Sequence, residues 1–536
     1  MSEVLKQPVI AGGAEDAATT AEPAAWRSYV PAGIAVGGAL LVSLLRWQVG
    51  GERFITDGAL MMLALAAYLI AAVFYLLNLY APSTLFQKIG LVSATGGVLL
   101  NLASWCVRWF AAYDAEVVHF VEQGLPKEQW PWAFRYVPFA NLYDLSLAFA
   151  FGAGITTLLI GHRKNFRFIG AISLPLAALI LVLARFIGDD LIELPPVLDS
   201  YWRPIHVGIA SLSYGVALVC FAVAVVYLLK DGVKTEAMAI WASIFALSVF
   251  ATVGHFSVFA PATFGTYRAS TVFGGSRQSF PFLRADLPYV GLLLVLAGVM
   301  LAAVVVAFLV YLNKRDERAR RMGHYLLRAS LVVQALAVVM LVYQVKNISE
   351  PLTRVDTAQY ERHALWMVRR ELEAQKVPAA EMQAEIERMR PQFYQMSDAW
   401  VQENGPRLRL SLNANPVELA ALITAFAATL FCVIFSFRTE RLREALPPLD
   451  RIDSLMYKTA GVAFAGLALL LMTGAIWANE SWGRYWGWDS KETGAFVAWL
   501  TYGGFLHVRI SRGWTGRAAA YFAIVAFVFI IFTYLG

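Results

Sequence analysis

"LALLLMTGAIWANESWGRYWGWDSKETGAFVAWLTYGGFLHV", residues 467–508, places a polar turn crowded with aromatic rings between two apolar runs. A run of about 20 apolar residues is long enough to cross a bilayer as a helix. Lipid offers no partner to backbone groups, so only helices or closed barrels span it, and unbroken apolar runs point to helices. Similar runs recur at about 29–48, 58–79, 89–112, 141–161, 167–187, 205–229, 238–260, 287–312, 324–345, 415–437, 455–477, 494–510 and 518–535. The pattern is that of an all-α polytopic membrane protein with about 13 transmembrane helices.

Composition agrees. Of 536 residues, 59% are hydrophobic and only 15% charged. The net charge of +6 does not imply nucleic acid, because Lys and Arg in such a chain record which loops stay inside. "GHRKNFR", "NKRDERARR", "FRTERLRE" and "RISRGWTGR" all fall on one side of an alternating topology, and the acidic "GDDLIELPPVLDS" falls on the other. The positive-inside pattern therefore puts the N-terminus inside, and the C-terminus and the tryptophan-rich turn outside. Residues 1–28 lack a basic-then-apolar leader and read as a flexible cytoplasmic tail. One external segment is long. Over 346–414, charged and apolar residues recur at helical spacing, broken at "VPAAE", which predicts an external soluble helical hairpin.

Chemical motifs are few. Cys106, Cys220 and Cys432 lie within apolar runs, and no CxxC occurs. The chain is therefore neither a thiol oxidoreductase nor a carrier of its own c-type haem attachment site. A phosphate-binding glycine loop and an HExxH zinc motif are also missing.

The tryptophan turn is different. An interfacial aromatic belt explains one or two rings per helix end, but Trp477, Trp482, Trp486 and Trp488 fall within twelve residues, with Gly483 and Gly487 among them. Glycine lets backbone or a flat ligand approach closely. Such a shelf suits a large apolar disc, and haem is one. Its propionates would need cations such as Arg484 or Lys491, and its iron needs axial ligands, most often imidazole. Seven histidines are available. His162 and His324 lie in or beside basic loops, and His119 and His363 in external segments. His206 is at the external mouth of the sixth run, and His255 near the external end of the seventh. His507 lies deep in the twelfth, where an ionisable group implies a role or an interhelical hydrogen bond.

"WGRYWGWDSKET" resembles the WWD signature of haem-handling proteins, most closely that of the CcsA/ResC cytochrome c biogenesis family, with Ser490 where proline is usual. "VPFANLYDLSLAF" (with Asp144 in place of the usual Glu), "LPPVLDSYWRPIHV" and "FVAWLTYGGFLHVR" are similar to three further family segments. The resemblance covers 89–229 and 449–536. It divides the chain into N-terminal membrane helices at 29–88, two halves of a CcsA-like domain, and an insertion at 230–448 that carries the 346–414 hairpin. The resemblance implies a multi-pass protein of the bacterial inner membrane with its haem site on the periplasmic face. It implies haem b carried to, or held at, that face and presented to the CxxCH cysteines of apocytochrome c as part of a holocytochrome c synthase. A second membrane subunit is the implied partner. By position, His206 matches an external axial ligand and His507 the membrane-embedded histidine of the haem path. Trp482, Gly483, Tyr485, Trp486, Trp488 and Asp489 match the platform. The family's second external histidine would follow "IIFTYLG", where this chain stops, so His255 is the candidate substitute, followed by His119 and His363. A haem exporter or chaperone without synthase activity, and a haem-bearing subunit of an electron-transfer complex, remain alternatives.

Overall fold

A computed structural model describes residues 29–130, 132–161, 164–187, 191, 196–254, 258–259, 264–273, 279–347, 358–375, 377–404, 408–410 and 416–535. The predicted tail at 1–28, His162 and His255 lie outside these residues.

Each predicted run is a helix. They are α1 (Val30–Val49), α2 (Asp57–Tyr80), α3 (Thr84–Glu122), α4 (Leu142–Gly161), α5 (Gly170–Ile187), α6 (Trp202–Lys230), α7 (Thr235–Gly254), α8 (Val290–Lys314) and α9 (Glu317–Asn347). After the helices of the long loop, α10–α12, come α13 (Pro416–Phe435), the short α14 (Thr439–Ala445), α15 (Leu449–Trp482), α16 (Ser490–Arg512) and α17 (Arg517–Leu535). Among the described residues, twelve helices are long and apolar enough to cross a membrane. The exception among the predicted spans is α16, whose ends carry Lys491, Glu492, Arg509 and Arg512. The protein is a helical, polytopic membrane protein.

Two helix groups share the load. In the first, α6 lies at the centre, packed against α15, α4 and α17, while α2 packs on α3 and α5, and α1 on α3. In the second, α7, α8, α9 and α13 pack on one another, and α13 also meets α5 and α17. Apolar side chains facing one another supply most of both interfaces, and polar pairs fix the register. Ser146 meets Tyr534 at 2.6 Å, Thr157 meets Ser173 at 2.8 Å, and Gln334 donates to Thr429 at 3.1 Å. Arg108 is fully buried, donates to Asp144 and Asp57, and lies over the Tyr143 ring at 4.5 Å. Burying a guanidinium this way is tolerable only because both carboxylates meet it. All three cysteines are buried and free.

The basic loops gather at one end of the bundle, where their charges staple helices together. Arg443 donates to the Leu229 and Val233 carbonyls, Arg509 grips Asp453, and Arg517 pairs with Asp231.

The long loop departs from its prediction. In place of a two-helix hairpin, three helices form, α10 (Ala358–Ala374), α11 (Ala379–Met389) and α12 (Phe393–Asn404). The first break falls at Val377–Pro378, as "VPAAE" predicts. The second falls at Arg390–Pro391, because proline cannot continue the hydrogen-bond ladder. Ala364, Val368, Leu372, Ile386 and Phe393 give this unit its own small core. A sheet was not predicted at all. β1 (Tyr267–Phe273), β2 (Ser279–Leu287) and β3 (Leu408–Leu410) pair antiparallel in the order β2-β1-β3. Gln359 at the start of α10 binds both the N–H and the C=O of Arg284, joining the three-helix unit to the outer edge of β2.

Candidate haem-handling site

The tryptophan turn is built by two helix ends. Gly483 closes α15 in the left-handed conformation (φ 67°), its N–H bonded to the Asn479 carbonyl. That geometry accounts for this glycine as a helix stop rather than as room for a ligand. Gly487 is pressed by Arg484, whose guanidinium occupies the place a Cβ would need. Asp489 caps α16, accepting from the Glu492 N–H at 2.8 Å, and the Glu492 carboxylate reaches back to the Gly487 N–H at 2.6 Å. Carboxylates suit this position because a helix N-terminus presents unpaired N–H groups and positive dipole. The turn is thus rigidly tied, and Trp488 is held at φ 58°, a conformation a bulky residue adopts only when its surroundings impose it.

The rings form a connected set. Trp486 meets Trp488 edge-on at 5.6 Å, and both meet Phe496. Phe496 stacks on Trp499 at 6.1 Å and 25°, and Trp499 on Phe464 at 5.3 Å and 13°. Trp482, Tyr485 and Trp488 are exposed. Phe496, Trp499, Gly503 and His507 recur at the spacing of one face of α16, so the row of rings leads towards His507. That histidine lies exposed on the flank of α16, far from the turn.

His206 stands in the first turns of α6, half-buried against α15. Its Nδ1 lies 3.0 Å from the Leu470 carbonyl oxygen and 3.4 Å from the Thr473 hydroxyl. A carbonyl can only accept, so Nδ1 carries the proton and Nε2 holds the lone pair. Among the described residues Nε2 has no hydrogen-bond partner. The Trp477 ring lies 5.7 Å away. Trp477 therefore belongs with His206 and not with the exposed shelf, although sequence proximity groups it with the other three tryptophans. Ser200 donates to Glu480 at 2.8 Å and ties the approach to α6 to the last turns of α15.

Several residues here escape sequence reasoning. Arg203, one turn before His206, is buried. It donates to the Arg135 carbonyl at 2.6 Å, yet its Nε has no partner among the described residues. Arg135 in turn pairs with Asp199. The segment carrying Arg135 forms a second aromatic surface. Trp132 stacks on Phe134 at 5.1 Å, Phe134 meets Trp109 and Phe139 meets Trp105. The signal was present in "QWPWAFRYVPF", where rings alternate from Trp130 to Tyr136. The other candidates do not join the site. His119 is exposed and pairs with Glu122 at the end of α3, and His363 is buried inside the three-helix unit.

A model of the cytochrome c assembly protein family matches residues 139–276 and 416–536. Over these two segments the chain belongs to that family. The matched segments hold His206, the tryptophan turn and α13, and the stretch between them holds α8 to α12. Among curated proteins, one similar relative is a cytochrome c biogenesis protein CcsA of Prochlorococcus marinus (strain MIT 9515). It is 53% identical over 87 residues, which cover 16% of this chain and 28% of that protein. A CcsA of Prochlorococcus marinus subsp. pastoris is 40% identical over 126 residues, covering 23% of this chain and 40% of the relative. The CcsA of Guillardia theta is 47% identical over 88 residues, or 16% and 29% of the two chains. The chain thus aligns with well under half the length of these relatives. No solved structure matches.

Proposed function

We propose that this chain serves cytochrome c biogenesis by holding haem at the bundle end that carries the tryptophan turn, and by presenting it for thioether attachment to the CxxCH cysteines of apocytochrome c. The observation that carries this reading is the contact of His206 Nδ1 with the Leu470 carbonyl oxygen at 3.0 Å. With Nδ1–H committed to the Leu470 carbonyl, Nε2 keeps a lone pair that could ligate a haem iron, the arrangement that orients ligating imidazoles generally. The neighbouring residues suit the rest of the porphyrin. Trp477 supplies an apolar ring beside His206, and the exposed Trp488 with the half-buried Trp486 offers stacking surface. The Nε of Arg203, without a partner among the described residues, is a buried donor suited to a carboxylate such as a propionate.

The chemistry asks little of the protein as acid or base. Each cysteine S–H adds across a vinyl C=C, so one C–S bond and one C–H bond form and no other reactant is consumed. The chain's contribution is positional, holding the vinyl edge where a CxxCH peptide can reach it, which is catalysis by proximity. The relatives' printed name, cytochrome c biogenesis protein CcsA, agrees with this reading.

The test is co-expression of the full chain with an apocytochrome reporter in cells that lack their own maturation system. Covalent haem on the reporter, lost on His206→Ala, is the expected result. Haem bound to the purified chain with no covalent product would favour a carrier. A chain that stays without a Soret band under ample haem supply overturns the proposal.

A further inference from the structure

Glycine within a helix is destabilising relative to alanine, so its presence in the middle of α15 calls for a reason. Three glycines, Gly461, Gly466 and Gly474, lie inside that helix. A Cβ on Gly461 would meet nothing within 4 Å. A Cβ on Gly466 would stand 2.2 Å from the Ser213 hydroxyl of α6. A Cβ on Gly474 would stand 2.8 Å from Cε1 and 3.1 Å from Nδ1 of His206. Gly466 and Gly474, two turns apart, thus face α6 and let the two helices close up, as small residues do between membrane helices.

We infer that Gly474 is a positioning residue for His206. Together with the Leu470 carbonyl it forms a seat on α15 that fixes the imidazole's orientation and its height below the tryptophan turn. The ring can yield only by turning away from α15. Its Nδ1 is bonded to Leu470, and Trp477 flanks it. A methyl group at position 474 therefore breaks the Nδ1 bond and swings the ring away from α15. The same helix continues unbroken from Gly474 to Trp482, about 12 Å at ~1.5 Å per residue, and ends at the shelf. One rigid rod thus sets the spacing between a ligand on α6 and the rings of the turn. This role rests on the haem-holding function proposed above.

Two measurements on the purified full chain test it, each made on wild type, Gly474→Ala and Gly461→Ala. The first is titration with ferric haem. Gly474→Ala should bind at least tenfold more weakly and lose the low-spin spectrum, while Gly461→Ala matches wild type. The second needs no haem. Diethyl pyrocarbonate modification of His206, followed by peptide mass spectrometry, should run several-fold faster in Gly474→Ala. The exposed His119 should react at its usual rate and so report an intact fold. Wild-type reactivity of His206 in Gly474→Ala overturns the seat. Altered reactivity with unchanged haem binding overturns the positioning role. A wild-type chain that binds no haem removes the proposed function, and this role with it, while the modification rates still decide whether the seat exists.

Discussion

His206 and His363 look alike on paper and differ in kind. Each has a bonded Nδ1 and an Nε2 with no partner among the described residues. His206 bonds a main-chain carbonyl, is half-buried, and sits between two helices of the family-matched bundle. His363 bonds the Ser397 hydroxyl at 2.7 Å, is fully buried, and is flanked by Trp366 and Trp400 in the intervening three-helix unit. The carbonyl dictates one tautomer and leaves a usable lone pair. The hydroxyl dictates nothing, because it can donate or accept, and its histidine is closed in. Burial alone does not make a histidine a ligand; partner chemistry and access do.

The sharpest break between the two regions should come from charge. Arg108→Met leaves Asp57 and Asp144 without their buried cation, and removing one member of a buried pair costs about 3–5 kcal/mol. A large drop in thermal midpoint in detergent is expected. Arg390→Met, which removes an exposed pair with Glu387 in the three-helix unit, should leave the midpoint unchanged. An equal response would mean that the buried network does not hold the bundle.

The histidines come next. His206→Ala should weaken haem binding by more than about a hundredfold, beyond the loss of about 10- to 100-fold typical when a residue behind a ligand is changed. His363→Leu should leave it intact, as read by Soret titration. Loss in both would make His363 part of the site. A smaller effect belongs to the shelf. Trp486→Ala should cost about 0.5–1.5 kcal/mol of ring contact, roughly two- to twelvefold in haem affinity, without change in the axial-ligand spectrum.

The last contrast is pH. Burial pushes the His363 imidazole down to about 4, against about 6.5 when exposed. The unfolded chain then takes up the proton first as pH falls. The contribution is intact above about pH 6.5 and drains away towards pH 4. Hydrogen exchange across α10 and α12 should rise over that window in wild type and stay flat in His363→Leu.

Much of the bundle was legible because lipid imposes one demand on every span. A helix must be about 20 residues long and apolar, and that demand is written locally in each run. The break at Pro378 was equally local. The sheet was not legible. β3 pairs with β1 from far along the chain, Thr271 opposite Leu410, and no periodicity announces a three-residue strand. Nor was the true company of Trp477, since a helix of 34 residues carries it away from its sequence neighbours and against α6.

The sequence alone determined the helical membrane class, the alternation that gathers basic loops at one end, and the aromatic turn that marks the family. Each follows from short-range hydropathy, charge and spacing. Only the tertiary structure decided that His206 meets Leu470 across 264 positions and Gly474 beside it, that Arg203 is buried with a donor unused among the described residues, and that His363 is sealed in a separate core. Those outcomes depend on which helix faces pack together, and packing between distant segments leaves no mark in either segment read by itself.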